Sequence, residues 1–509
     1  LQPELAMLVF ETVIALLMAG AFLAILARRI GAPYPALLAL AGTAGAVVPG
    51  LPQVTLDPDL ALALFVAPTL LDAAFDASPR DLRENWLPVT GLALVSVVCT
   101  TAVVALVAHW AAPGMPWAVA IALGAIVAPP DASAAAAVLR QLRPPHRLLV
   151  ILEGESLFND ASALLIYRVA VGAAVTGHFS GWAVLPQLLL TCGGGALLGV
   201  ALAKLWFRLN LLQHEVGISV LLQFLGTFAV WLLAERLHLS AIITVVAYAM
   251  TLARHAPLRT DGRKRIASYA VWEVAVFVLN VLAFILIGLQ LRGILERLDG
   301  GRWSDLGFAL LASAAAIAVR FAWVMGHIAV AEPANWRGGL VMAWCGMRGI
   351  VSIAAALALP EDFPYRDLIL LTAFAVVLAT LVVQGLTLRW VLVWLGVEDD
   401  GAVEREAALA REATCQAALT VLRAAPSGEA AALLRRDYAA RLNPVPGEPL
   451  LALQRQVIAA QRQALAALRR GGVIGDDAFH RIEEEIDLLE LTADPRIRCL
   501  EATPAAGAT

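Results

Sequence analysis

Glu153-Gly154-Glu155-Ser156-Leu157-Phe158-Asn159-Asp160 places three carboxylates inside a stretch that otherwise has the composition of a membrane-spanning helix. From Leu148 to Val175 the chain is apolar and helix-compatible apart from this string and Arg168, and about 20 such residues cross a hydrocarbon core of roughly 30 Å. One aspartate near the middle of a span costs about 2.5 to 3.5 kcal/mol on insertion scales, so ionisable residues at that depth usually face the bundle interior or an aqueous path. The string therefore reads as an ion or proton site. The plainer alternative is a set of carboxylates that cap or pair within the bundle.

The rest of the chain sets the class. Its 509 residues are 60% hydrophobic and 15% charged, too little polar surface for a soluble core of that size, and this predicts an all-α polytopic membrane protein. Hydropathy marks thirteen spans, near 7–27, 33–50, 58–76, 86–110, 115–139, 148–175, 183–205, 216–234, 239–253, 271–292, 305–330, 338–359 and 366–395. Alternate connections are basic, with Arg28 and Arg29, Arg80 and Arg83, Arg140, Arg143 and Arg147, Lys204 and Arg208, Arg254 through Arg265, and Arg337. The positive-inside rule then puts the N-terminus outside and the C-terminus in the cytoplasm, as for a multi-pass protein of the cell's inner membrane. Five cysteines form no framework or metal motif, and a net charge of −4 gives no sign of a nucleic-acid partner.

The composition divides the chain into a transmembrane part, 1–398, and a polar tail, 399–509, opened by Glu398-Asp399-Asp400-Gly401. Windows such as Leu451 to Arg470 and Phe479 to Leu491 read as amphipathic helices, separated at Gly471-Gly472 and restarted with Asp476 or Asp477 as cap. No nucleotide-binding fingerprint occurs in the tail, so its expected role is to bind a regulatory partner or to serve as a solvated appendage. The terminal Pro504 to Thr509 is expected to be disordered.

Two further spans carry breaks. Ala128-Pro129-Pro130-Asp131 puts tandem prolines in the fifth, which removes backbone donors and opens the helix. Trp344-Cys345-Gly346-Met347-Arg348-Gly349-Ile350 flanks an arginine with two glycines in the twelfth. Interrupted spans in the two halves of a chain point to a transporter site at the crossing of broken helices. At 1.5 Å per residue Asp160 lies about 18 Å, Arg348 about 15 Å and Asp131 about 12 Å from the cytoplasmic ends of their spans, so the three can meet near the midplane.

Helical spacing sorts the roles on the sixth span. Glu155 and Asn159, like Ser156 and Asp160, are i,i+4 pairs forming adjacent stripes on one face. Ser156 and Asp160 offer oxygen ligands to a hard monovalent cation. A buried arginine needs a partner, which predicts an ion pair between Glu155 and Arg348, while the Asn159 amide can hold a neighbouring broken helix. Asp160 is left without a permanent counter-charge, and a cation or a proton can satisfy it, but not both together. One proton for one monovalent cation is the simplest stoichiometry.

At these residues the sequence resembles the sodium/proton exchanger branch of the monovalent cation/proton antiporters. Gly154 to Asp160 is similar to that family's sixth-helix signature. Pro129-Pro130-Asp131 and Gly346-Met347-Arg348-Gly349 are similar to its fifth- and twelfth-span motifs, and the likeness covers about the first 395 residues. The resemblance implies a homodimer with inverted repeats and two crossed unwound helices, working by elevator-like alternating access. The mobile core would be about 86–175 and 305–395, and the dimerisation part about 7–85 and 216–292. It implies Asp160 as the cation and proton carrier, with Asn159 beside it, Ser156 and Asp131 as cation ligands, and Glu155 and Arg348 as the buried pair. Pro130 stands where the family often has Thr, leaving a backbone carbonyl in place of the hydroxyl. Asp72 stands where relatives commonly have Glu and would line the cytoplasmic cation path. No cofactor is expected; Na+ or K+ and H+ are substrates, with Na+ the first choice.

Arg320 and Glu273 read as a structural pair or interface residues, and Arg168 as a residue reaching an acidic partner or the outer surface. Gly193-Gly194-Gly195 with Gly199 reads as close helix packing. Two other classes compete. An intramembrane aspartyl protease would use Asp131 and Asp160 as a dyad, but its Tyr-Asp and Gly-x-Gly-Asp contexts are missing around them. A cation channel would want pore-lining rings rather than one charged cluster between broken helices.

Overall fold

The computed structural model describes residues 2–48, 57–131, 134–136, 139, 142, 144–177, 181–210, 215–259, 262–297, 302–424, 428–442, 448–470, 482–483 and 485–488. Among these residues every regular element is helical. Eight helices are long and apolar enough to cross a membrane: Glu11–Ile30, Pro58–Asp76, Trp86–Ala111, Leu189–Arg208, Val216–Arg236, Lys264–Glu296, Trp303–Ala331 and Arg366–Leu395. Shorter apolar helices run over Tyr34–Ala46, Trp117–Val127 and Ala241–His255. The carboxylate string lies in one unbroken helix, His146–Thr176, entered from the extended Pro145 and closed by Gly177 at φ +72°.

Outward-facing side chains explain why the sequence is so apolar. Met18, Phe22, Leu197, Trp303, Val330, Trp390 and Trp394 are all exposed on helices of the first 402 residues. That much exposed apolar surface calls for a bilayer rather than water.

Two packing neighbourhoods follow from small residues and interruptions. In one, Tyr34–Ala46 lies along Gly262–Arg297, and Gly181–Asn210 lies along Ala241–Arg259. The second contact is close at Gly199, where a methyl group would sit 2.3 Å from the Thr244 carbonyl oxygen. Gly195 is similarly crowded by Thr244 and Ser240, whereas Gly193 faces open space, so the small-residue stripe begins later than the glycine run. In the other neighbourhood Trp117–Val127 packs between the helix Trp86–Ala111 and His146–Thr176, and Arg302–Ala331 packs on Arg366–Ala379.

Three of the long helices contain a wider, π-type turn, at Leu62–Val66, Gly91–Ser96 and Thr380–Gly385. Such a turn shifts the hydrogen-bond ladder and leaves carbonyl groups to be served by other side chains. The helix over Trp117–Val127 stops before Pro129-Pro130-Asp131, and Trp336–Trp344 stops before Cys345, with helix resuming over Ile350–Leu357. Both interruptions fall where prolines or glycines stand in the sequence.

The chain separates into two compact units, Leu1–Ala402 and Val403–Thr509. In the second, helices span Ala402–Ala424, Glu429–Leu442 and Glu448–Arg470. Ile458 and Leu465 pack with Ile486, and Arg462 donates to Asp487 at 2.6 Å. The expected break at Gly471-Gly472, the caps at Asp476 or Asp477 and the terminal segment from Pro504 lie outside the described residues.

Candidate functional site

The two breaks are tied to each other and to the charged helix by backbone groups that interrupted helices leave without partners. The Asp131 N–H donates to the Met347 carbonyl at 2.6 Å. Arg348 Nε donates to the carbonyl of Val127, the last helical residue before the tandem prolines, at 3.0 Å. The fully buried Asn159 donates through Nδ2 to the Pro130 carbonyl at 2.7 Å. Asn159 thus does what its amide suggested, holding the broken fifth span. Its Oδ1 remains a buried acceptor with no partner among the described residues.

The ion pair differs from the expected one. Glu155 is bound by Arg320, not Arg348: Nη1 and Nη2 of Arg320 donate to Oε1 and Oε2 at 2.5 and 2.9 Å, and both residues are 2% exposed. Arg320 Nη2 also donates to the Met342 carbonyl at 3.0 Å. Room for this arginine comes from Gly346, where a side-chain carbon would lie 2.4 Å from Arg320 Cδ. Arg348, 1% exposed, is satisfied by carbonyls instead, those of Val127, Gly346 and Ala316, and its own N–H donates to Thr380 Oγ1 at 3.1 Å. A cation among carbonyls at the ends of two helix segments also meets the negative ends of their dipoles. Arg320 therefore has no role with Glu273, which is exposed on Gly262–Arg297. Arg168 is exposed as well.

Three oxygen-bearing residues gather beside the breaks. Asp160 is half-buried, and among the described residues it has no hydrogen-bond or ion-pair partner. It lies close enough to Asp131 for the two carboxylates to interact electrostatically. Ser156, one turn earlier, lines a small cavity with Pro130, Ala135, Leu152, Glu155 and Cys345. The Asp131 carboxylate lies over Gly349, at the start of Ile350–Leu357, where the amino end of the helix favours negative charge. Asp72 is half-buried on Pro58–Asp76 and is not among the residues lining the Ser156 cavity.

Among the described residues Arg320 and Arg348 stand against Glu155, Asp131 and Asp160, two cationic side chains against three carboxylates.

Sequence reasoning missed two supporting residues. Ser162 Oγ donates to the Ala93 carbonyl at 2.6 Å, inside the wide turn Gly91–Ser96, and so braces the charged helix just beyond Asp160. Thr380, at the start of the wide turn Thr380–Gly385, receives the Arg348 N–H. No local signal marks a π-type turn in Gly91–Ser96 or Thr380–Gly385.

Gly349 supplies a direct test of this geometry. A Cβ there would lie 1.6 Å from Asp131 Oδ2, so Gly349→Ala must push the carboxylate aside. The expected result is normal membrane insertion with cation-dependent flux reduced by about tenfold or more, as for other displacements of about 1 Å in a ligand set. Wild-type flux in that variant would show that Asp131 need not lie where it does.

Comparison with known proteins places this geometry in a family. Residues 13–394 match the transmembrane sodium/hydrogen exchanger family. The Na(+)/H(+) antiporter ApNhaP of Aphanothece halophytica is 30% identical over 406 residues, covering 77% of this chain and 76% of its own. A sodium, potassium, lithium and rubidium/H(+) antiporter of Bacillus pumilus is 31% identical over 385 residues, covering 70% of this chain and 57% of its own. The solved sodium proton antiporter MjNhaP1 of Methanocaldococcus jannaschii shares the fold, with TM-score 0.63 and 19% identity over 77% of this chain and 99% of that one. With the family matched across most of the helical region, the chain belongs to the transmembrane sodium/hydrogen exchangers and is a multi-pass membrane transporter, not an enzyme.

Proposed function

We propose that this protein exchanges one monovalent cation, Na+ first, for one proton, electroneutrally, with the two substrates competing for Asp160. The observation that carries this reading is the single excess negative charge left, among the described residues, when Arg320 and Arg348 are set against Glu155, Asp131 and Asp160. A bound cation or a bound proton each neutralises it, so the loaded cluster crosses the membrane at the same net charge in either direction. Asp160 carries the exchangeable charge. Ser156, Asp131, the Pro130 carbonyl and Asp72, on the access path, supply cation ligands, and Asn159 keeps the broken fifth span against the carrier.

In this reading the chain has thirteen spans with inverted repeats and crosses its two unwound helices at the site. It forms a homodimer through 7–85 and 216–292, and moves 86–175 and 305–395 as an elevator. It sits in the cell's inner membrane with the N-terminus outside and the C-terminal tail, 399–509, in the cytoplasm, where the tail binds a regulatory partner and the transporter serves pH homeostasis. No cofactor takes part.

The test is purified protein in liposomes with a pH-sensitive dye inside. A sodium gradient should drive proton flux in the opposite direction, and holding the membrane potential at zero should not change the rate. A strong dependence on potential would show more than one proton per cation. Potassium/proton exchange on the same fold is the second reading, favoured by the relative whose name includes potassium among its cations; replacing the sodium gradient by a potassium gradient separates the two.

A further inference from the structure

Away from the broken helices, a second polar group closes one end of the same packing neighbourhood. Arg147, on the first turn of His146–Thr176, donates Nη1 to Glu332 Oε2 at 2.7 Å, Nη2 to Glu332 Oε1, and Nε to Asn85 Oδ1 at 2.8 Å. Asn85 in turn donates Nδ2 to the Asp81 carbonyl at 2.9 Å, and the Asp81 carboxylate meets His146 Nε2 at 3.3 Å and Arg80. Because His146 and Arg147 are adjacent, these contacts form a ring through the short helix Pro79–Glu84, Asn85 and the start of the charged helix. Glu332 adds a third element, the turn that leads into Trp336–Trp344 and hence into the twelfth-span break, and Asn335 Nδ2 donates to it at 3.4 Å.

Arg147, Glu332 and Asn335 line a cavity together with Met342, the residue whose carbonyl accepts from Arg320. Glu332 directly follows Arg302–Ala331, the helix that carries Arg320, and its N–H donates to the Ile328 carbonyl, so the Arg147–Glu332 contact and the buried Glu155–Arg320 pair both tie the charged helix to that helix, eight residues or about 12 Å apart along the charged helix. The helix between them is continuous, and it lies tight against its neighbour: a methyl group on Gly154 would sit 2.6 Å from Leu82 Cδ2 and 2.9 Å from Val89. A shift at Arg147 along the axis is thus passed on to Ser156 and Asp160. An ion pair this exposed adds little to stability, but a two-pronged arginine–carboxylate contact fixes relative position as well as charge.

We propose that Arg147 and Glu332 are positioning residues for transport: their contact sets the axial register of the charged helix against the end of Arg302–Ala331 and the turn into the interrupted twelfth span, and so the fit of Ser156 and Asp160 around the cation. This rests on the exchange reading above. The Glu332 carboxyl is held below its ordinary range chiefly by the Arg147 hydrogen bond, against the opposing effect of its partial burial, so the pair is charged at neutral pH. Loss of register weakens cation binding more than it slows the loaded carrier, because a ligand set displaced by a fraction of an ångström still moves once filled.

The experiment is sodium-dependent proton flux in liposomes for wild type, Arg147→Gln, Glu332→Gln and the exchanged pair Arg147→Glu with Glu332→Arg, each normalised to folded protein. Either single variant is expected to raise the apparent KM for sodium about fivefold to tenfold, with the maximal rate within about twofold of wild type. The exchanged pair is expected to bring KM back to within about twofold. If a variant folds poorly, its yield falls but the KM of the folded fraction still reports the register. Unchanged KM in the single variants, or a raised KM that the exchanged pair leaves as it is, overturns the proposal while exchange by wild type stands. No cation-dependent flux from wild type overturns the exchange reading, and this inference with it.

Discussion

Asp160→Asn in proteoliposomes is expected to abolish cation-driven proton flux, down to the leak of protein-free vesicles, while the protein purifies and unfolds like wild type. The amide keeps the shape of the carboxyl but neither ionises nor releases a proton in the accessible range, so the variant cannot alternate between a cation-bound and a proton-bound form. Folding should be spared because Asp160 has no ion-pair partner among the described residues that its loss would leave buried and unsatisfied. Retention of cation-dependent flux would remove Asp160 from its role as carrier.

The second large effect concerns the buried pair. Arg320→Ala leaves Glu155 ionised at 2% exposure with its two-pronged partner gone, and breaking such a pair costs about 3–5 kcal/mol. That is a large share of the stability of a typical domain, roughly 5–15 kcal/mol. Thermal unfolding in detergent should show a marked fall in Tm for Arg320→Ala, with much of it recovered when Glu155→Leu is added. Arg348→Ala also destabilises, by leaving the Val127 and Gly346 carbonyls without their donor, but its effect should add to that of Glu155→Leu rather than be relieved by it. Coupling of Glu155 to Arg348 and not to Arg320 in this cycle would contradict the observed pairing.

That pairing also shows where the sequence stops being legible. The apolar, all-helical character and the two interruptions were readable because each has a local cause: apolar length, tandem prolines, and glycines around a charge. The choice between two buried arginines was not. Counted from the same end, Arg320 and Arg348 both lie about 15 Å deep, so depth does not separate them. The tertiary contacts that do are the space over Gly346, which admits the Arg320 stem, and the Val127 carbonyl that the proline break turns toward Arg348. A break in a helix creates acceptors as well as flexibility, and an arginine inside the break is satisfied by them without a carboxylate. Similarly, Asn159 was readable as a tie to a neighbour from its amide, but that the Pro130 carbonyl would receive it depends on how the fifth span opens. Ser162 and Thr380 were not legible at all, since their roles depend on wide helical turns that no local residue pattern announces.

The claim that cation and proton compete for one carboxylate is tested most directly by the apparent KM for sodium, taken from initial rates of exchange across a series of pH values. Competition predicts that KM falls as pH rises, approaching about tenfold per unit while the carboxyl is mostly protonated, with the maximal rate at saturating sodium unchanged. A KM that stays constant across the series, with only the maximal rate responding to pH, would contradict it.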